Sequence, residues 1–326
     1  MKTVRFDDAA VRYTGRWFFG DAAETTCAGA YFEVGFTGAE LLLSFDMRGV
    51  SKTPPHLFLQ LDGGAKFEAP TDAYLRVEAP DGGAHALRVI VKSIDECESR
   101  WENPNCRVSF LGCEAEGFRH LPTDTRPVIE FIGDSITEGI LVDPERRSPC
   151  YTDDRYNRVY QEDATTGWAW RTAEALGMAA RIMGYGAVGL TRGGSGGVPR
   201  AALAYPYAYA GAVLPPARVD YIVINHGAND SGASDEEYLK RYEELLDEVR
   251  AAHPEAHVLV LPSFWGFHAA VLPDFVAGYN ASRGARVDFV PTDGWFTNFP
   301  EHPLRAEDCA IGEKLTEALR GLWGLA

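Results

Sequence analysis

The stretch Val128–Ile140 reads VIEFIGDSITEGI. It begins as an apolar run rich in β-branched and aromatic residues and stops at Gly133-Asp134-Ser135. That composition predicts a buried strand ending in a turn that carries a serine. Similar runs recur downstream in DYIVINHG, HVLVLPSF and RVDFVPTDG, with helical patterns between them. TTGWAWRTAEALG closes on Gly177, which suits the C′ position of a helix. SDEEYLKRYEELLDEVRAAHP opens with Ser234 and has Glu237 at capping-box spacing. Its Tyr238, Tyr242, Leu245, Leu246 and Val249 recur at helical spacing and face the sheet. EDCAIGEKLTEALRGLWG reads as the last helix. Strands apolar on both faces that alternate with helices make a parallel sheet covered on both sides, so the fold class is α/β.

Upstream the rhythm differs. AYFEVGF, ELLLSFDM, HLFLQLDGG, AYLRVEAPDGG, HALRVIVKSI and CRVSFLGCEA are short strand-like runs separated by Gly, Asp and Pro. This spacing predicts an antiparallel β-sandwich over residues 1–120. The polar, proline-bearing GFRHLPTDTRP, Gly117–Pro127, marks the boundary, and the α/β domain follows over 127–326.

The 326 residues carry a formal net charge of −16 and are 46% hydrophobic. Charge of that sign repels phosphate backbones, and no Lys/Arg run offsets it, so nucleic acid is not an expected partner. No run reaches the ~18–20 apolar residues of a membrane-spanning helix, so no membrane partner is expected. MKTVRFDDAAV lacks the apolar core of a signal peptide, which leads to the expectation of a cytoplasmic protein. The six cysteines have no CxxC spacing, and no Cys/His pair sits at ligand spacing. Reduced thiols, no metal and no cofactor are expected.

In an open α/β sheet, ligands collect beyond the carboxyl ends of the strands. There the sequence places Ser135, the glycine-rich GYGAVGLTRGGSGGVP, Asn229 in GAND, and His302 before the last helix. These residue types suit ester hydrolysis. A serine hydroxyl needs a base to become a nucleophile, and His302 is the candidate. The tetrahedral intermediate needs donors, for which the N–H groups of Ser135 and Gly189 and the Asn229 amide are candidates.

Four stretches, FIGDSITEG, AVGLTRGG, GAND and EHP, occur in that order and resemble the four blocks of the SGNH, or GDSL-type, hydrolases. The resemblance covers roughly residues 127–326. It implies a flavodoxin-like three-layer α/β/α domain, with the serine, glycine, asparagine and histidine of those blocks at the site. With its β-sandwich in front, the chain also resembles carbohydrate esterase family 2, whose first domain is a jelly roll and whose members remove acetyl groups from polysaccharides or oligosaccharides. The implied substrate is then an oligosaccharide or small-molecule ester. Most SGNH enzymes carry an aspartate three residues before the histidine, where this chain has Phe299. Glu301 and Asp293 are the alternative carboxylates, and a Ser–His dyad is the expectation. The stretch is not a lipase nucleophile elbow, because position 137 is Thr where that motif requires Gly.

Asp134 is expected to bond backbone around the turn. His226, His253, His257 and His268 compete with His302, His268 foremost. Trp265, Trp295 and Phe296 follow strand ends and either wall the site or pack the core, and Arg192 either meets substrate or solvent. YPYAYA, Tyr205–Ala210, is expected to pack a loop. Two other functions fit the same residues: hydrolysis of another small ester, lipid or thioester, and glycan binding without catalysis. Oligomeric state is left open.

Overall fold

The computed structural model describes residues 1–325. In its C-terminal half, five strands form a parallel sheet in the order Ala179–Gly184, Val128–Gly133, Tyr221–Asn225, His257–Leu261, Val287–Phe289. By chain order this is 2-1-3-4-5, the flavodoxin-like arrangement. The chain leaves Val128–Gly133 toward one neighbour and later returns on the other side, so the topological switch lies at that strand's carboxyl end. Gly133 there is in register with Gly184 on one side and Asn225 on the other.

Helices cover both faces. On one, Tyr238, Tyr242, Leu245, Leu246 and Val249 of the helix Asp235–Ala252 pack on Ile132, Ile222, Ile224, Val258 and Val260. On the other, the helices Trp168–Ala175 and Arg305–Trp323 bury Trp168, Ile311, Leu315 and Leu319 against Phe131, Val223 and Leu259. Ser234 caps the long helix by accepting from Glu237 N, and Gly177 has the positive φ of 64° that a helix end favours.

Among the elements not anticipated are one strand and one longer helix. The strand Ala179–Gly184 has Arg181 at its centre, which interrupts the apolar run by which its neighbours are recognised. Arg181 is tolerated there because its Nε donates to the buried Glu130 at 2.7 Å. The helix Leu272–Arg283 contains Pro273 and Gly278, residues that sequence reading takes as breaks; Pro273 sits at its start, where a missing N–H costs nothing.

The N-terminal half is antiparallel, with ten strands. Its backbone is one 15-residue strand, Tyr31–Phe45, which the sequence presents as two runs. The first length pairs with Val11–Thr14 and Ala84–Ser93; the second pairs with Tyr74–Glu78; Val108–Phe118 runs along the second and past Gly38 onto Thr37 and Phe36. The change of partners falls around Gly38, whose φ of 114° and close approach to Glu116 exclude a side chain. Phe32, Val34, Phe36, Leu41, Leu43 and Phe110 fill the core beneath.

The two halves share a polar interface. Arg16 reaches from the sandwich to Glu130 (2.7 Å), which also takes Arg181 and the Tyr205 hydroxyl (2.9 Å). Lys92, fully buried, binds Glu68 (3.0 Å) and the Val159 carbonyl (2.8 Å). Tyr31 is buried on the α/β side, edge-on to Trp170. The segment Tyr205–Ala210, expected as a loop, packs here but carries the short strand Tyr207–Tyr209, paired with Ala212–Val213, and Tyr207 stands edge-on to Trp101.

Candidate active site

Val128–Gly133 ends at the switch point, and the next residues form a one-turn helix, Ser135–Glu138. Gly133 permits the turn, because a Cβ there would meet Thr137 Oγ1 at 2.0 Å and the Asn225 carbonyl at 2.8 Å. Asp134 caps the turn by accepting from Ile136 N at 3.0 Å. Its carboxyl is buried near Asp230, and burial first, then that charge, pushes it up to about 7. Ser135 is 7% exposed.

His302 lies before the last helix and turns its Nε2 to Ser135 Oγ at 2.8 Å. The segment is fastened where it meets the helix. Leu304 N donates to Glu307 Oε2 at 2.9 Å, and Arg305 reaches Asp143 and Asp163 on the far side of the nucleophile turn. Trp265 stands edge-on to the imidazole with ring centroids 6.1 Å apart, and Phe299 stands edge-on to Trp265 at 5.3 Å. Burial, helped by the Arg158 charge, pushes His302 down to about 4. Among the described residues no carboxylate holds its Nδ1: neither Glu301 nor Asp293 bonds to the ring, and both are exposed.

The donors are unequal. Ser135 N–H is unbonded at the start of its helix, and Asn229 Nδ2 spends one bond on the Val188 carbonyl (3.1 Å), leaving a second N–H. Gly189 N–H, the third candidate, donates to the Arg192 carbonyl at 3.0 Å, so it reaches an oxyanion only by sharing or leaving that bond. The glycine has another reason to be there. A Cβ at 189 would stand 2.6–2.9 Å from the Asp230 carboxylate. Asp230 accepts from Leu190 N (3.0 Å), Thr191 N (2.8 Å) and Thr191 Oγ1 (2.7 Å), and so pins the glycine-rich loop beside Asn229. Sequence reading places Asp230 at the same strand end, directly after the candidate Asn229, but gives it no role.

The rival histidines are placed elsewhere. His268 bridges Asp235 (2.6 Å) and the Asp230 carbonyl (2.9 Å) and stacks on Tyr238. His226 is wholly buried behind the site, and burial pushes it down to about 4. His253 ends a helix near Glu130, and His257 stacks on Tyr221. Phe296 is buried and Trp295 packs on Phe264, so of the three aromatic candidates only Trp265 stands beside the histidine. Arg192 is exposed. Charged residues near the site that escaped sequence reading include Arg158, whose Nε is 3.3 Å from Glu96, and Glu96 itself, supplied by the sandwich and pressed against Gly186. Among the described residues no cluster of acids, histidines and cysteines could hold a metal ion, all six cysteines are free, and no helix is long and apolar enough to cross a membrane.

Residues 131–307 match the GDSL-like Lipase/Acylhydrolase family. The chain is 28% identical over 350 residues to the Cellulase/esterase CelE of Acetivibrio thermocellus, covering 98% of this chain and 40% of that protein. The chain thus spans well under half the length of this curated relative. Among solved structures, a family two carbohydrate esterase from Cellvibrio japonicus superposes with a TM-score of 0.81 at 20% identity, over 99% of this chain and 98% of that one. A carbohydrate esterase family 2 enzyme plus carbohydrate binding domain from Corynascus thermopiles superposes at 0.74 with 25% identity, over 96% and 99%.

Proposed function

The chain belongs to the GDSL-like lipase/acylhydrolase family, and from that premise we propose that it is a serine esterase removing an acetyl group from a carbohydrate or oligosaccharide. The observation that carries the reaction is the 2.8 Å contact between Ser135 Oγ and His302 Nε2. Its support for the substrate class is the likeness to carbohydrate esterases across both halves of the chain.

In this reaction Ser135 Oγ attacks the ester carbonyl carbon as His302 Nε2 takes its proton. The negative charge on the carbonyl oxygen meets Ser135 N–H and the free N–H of Asn229. The intermediate collapses, the sugar oxygen leaves with the proton from His302, and the acyl group stays on Ser135. His302 then draws a proton from a water that attacks the acyl-serine, releasing acetate and restoring the serine. The exposed Phe299 and the half-buried Trp265 put an aromatic wall beside His302 that suits a sugar face.

The test is acetate release from acetylated xylo-oligosaccharides alongside a ladder of p-nitrophenyl esters. Turnover of the oligosaccharides with the fastest ester rate at acetyl is expected. A rate maximum at long acyl chains, with no acetate from the oligosaccharides, would overturn the proposed substrate. Glycan binding without turnover of any ester would make the chain a binding protein.

A further inference from the structure

The sandwich sends one loop across to the nucleophile. From it Arg100, 1% exposed, places Nη1 2.5 Å from Oε1 of Glu138 and donates from Nη2 to the Thr26 carbonyl at 2.5 Å. Its guanidinium lies over the Tyr185 ring, 4.8 Å from the centroid, and its backbone N–H donates to Gly196 in the glycine-rich loop at 2.9 Å. Glu138, also 1% exposed, is the last residue of the one-turn helix that Ser135 begins. Its Oε2 accepts from Gly186 N at 3.0 Å, and its backbone is packed so closely on Gly184 that no side chain fits there. Gly186 opens the loop that carries Val188, whose carbonyl holds the Asn229 amide.

We infer that Arg100 is a positioning residue for the reaction: held by the sandwich, it fixes Glu138 and through it both the turn bearing Ser135 and the loop that aims Asn229. The inference rests on the serine-esterase reading of the site.

The chemistry around Glu138 explains why a cation is needed. Burial pushes its carboxyl up, Arg100 pulls it down and Glu96 pushes it up again, and the balance leaves it raised, at about 7. Glu162, buried with both oxygens unbonded, crowds the same place, and Asp95 is near. Without the guanidinium, a carboxylate among such neighbours takes up a proton and becomes a poorer acceptor for the Gly186 N–H. A one-turn helix has little rigidity of its own, so its geometry depends on what grips its ends.

The test uses the full chain and p-nitrophenyl acetate, with near-ultraviolet circular dichroism to confirm folding and an active-site-directed fluorophosphonate to report Ser135. The variants are Arg100→Ala, Arg100→Lys, and Arg100→Met combined with Glu138→Gln. The double variant removes the pair without leaving one charge buried, and therefore serves if Arg100→Ala does not fold. Folded Arg100→Ala or the double variant is expected to lose about 10²-fold in kcat with KM nearly unchanged, the scale of a misplaced reacting group. Arg100→Lys is expected to recover part of that loss. Parental kcat in the folded double variant, or a loss confined to KM, overturns the inference while leaving the esterase reading intact. A parent protein that neither turns over esters nor takes the fluorophosphonate overturns both.

Discussion

His302 holds Ser135 through Nε2 at 2.8 Å while its other nitrogen faces no carboxylate among the described residues. The ring is placed by packing against Trp265 and by the Arg305 anchors just beyond it. An acid completing the site would normally fix the imidazole and stabilise its charged form. Glu301→Gln and Asp293→Asn are therefore expected to keep kcat within about threefold of the parent, since neither acid acts in the reaction. Steady-state kinetics of the two variants decide this; a ~10²-fold or greater loss in either would identify a third member.

Burial and Arg158 push His302 down to about 4, so the ring is a free base through neutral pH. The acid limb of kcat/KM, which reports the free enzyme, is expected near pH 4 and not near the ordinary histidine value of 6.5. With the folded value below the unfolded one, the unfolded chain binds more protons between those two values. This contribution to stability is complete above the ordinary value and is lost as pH falls toward 4. Removing the charge in Arg158→Met should move the limb upward; an unchanged limb would show that Arg158 does not act on the ring.

Asn229→Ala is expected to lower kcat by ~10²–10³-fold with little change in KM, because its free N–H meets charge that develops only in the transition state. Gly189→Ala is expected to fail differently. Its methyl group collides with the Asp230 carboxylate and loosens the bonds to Leu190 and Thr191. A fall in thermal stability together with activity would separate it from Asn229→Ala, which should unfold near the parental temperature.

The knot at Glu130 joins the two halves. Glu130→Ala leaves Arg16 and Arg181 buried without their acid, and the cost expected is about 3–5 kcal/mol. Denaturant unfolding measures it. A loss below ~1 kcal/mol would mean that Arg16 and Arg181 find other partners.

Much of the architecture was legible because the sheet is buried on both faces. VIEFIG, YIVIN and HVLVL are predominantly apolar, with Glu130 the one acid among them, and a parallel sheet covered by helices hides such strands. The strand Ala179–Gly184 was illegible for the converse reason: Arg181 looks like a surface residue until Glu130, 51 positions away, is seen to neutralise it. The helix Leu272–Arg283 was hidden by a proline and a glycine that end other helices. At the site, Ser135 and His302 follow block signals, and the fold brings them within 2.8 Å of each other. The Gly189 N–H bond to Arg192 could not be read, since it depends on the path of a loop. Neither could Arg100 and Glu96, because no local pattern tells that a sandwich loop will reach the nucleophile.

The central claim is that Ser135 is the nucleophile, and the direct measurement is turnover of p-nitrophenyl acetate and acetylated xylo-oligosaccharides by the parent and by folded Ser135→Ala. The expected result is a loss of ~10³-fold or more in kcat for both substrates. Equal turnover by the two proteins would contradict it and reduce Gly133-Asp134-Ser135 to a turn at the end of a strand.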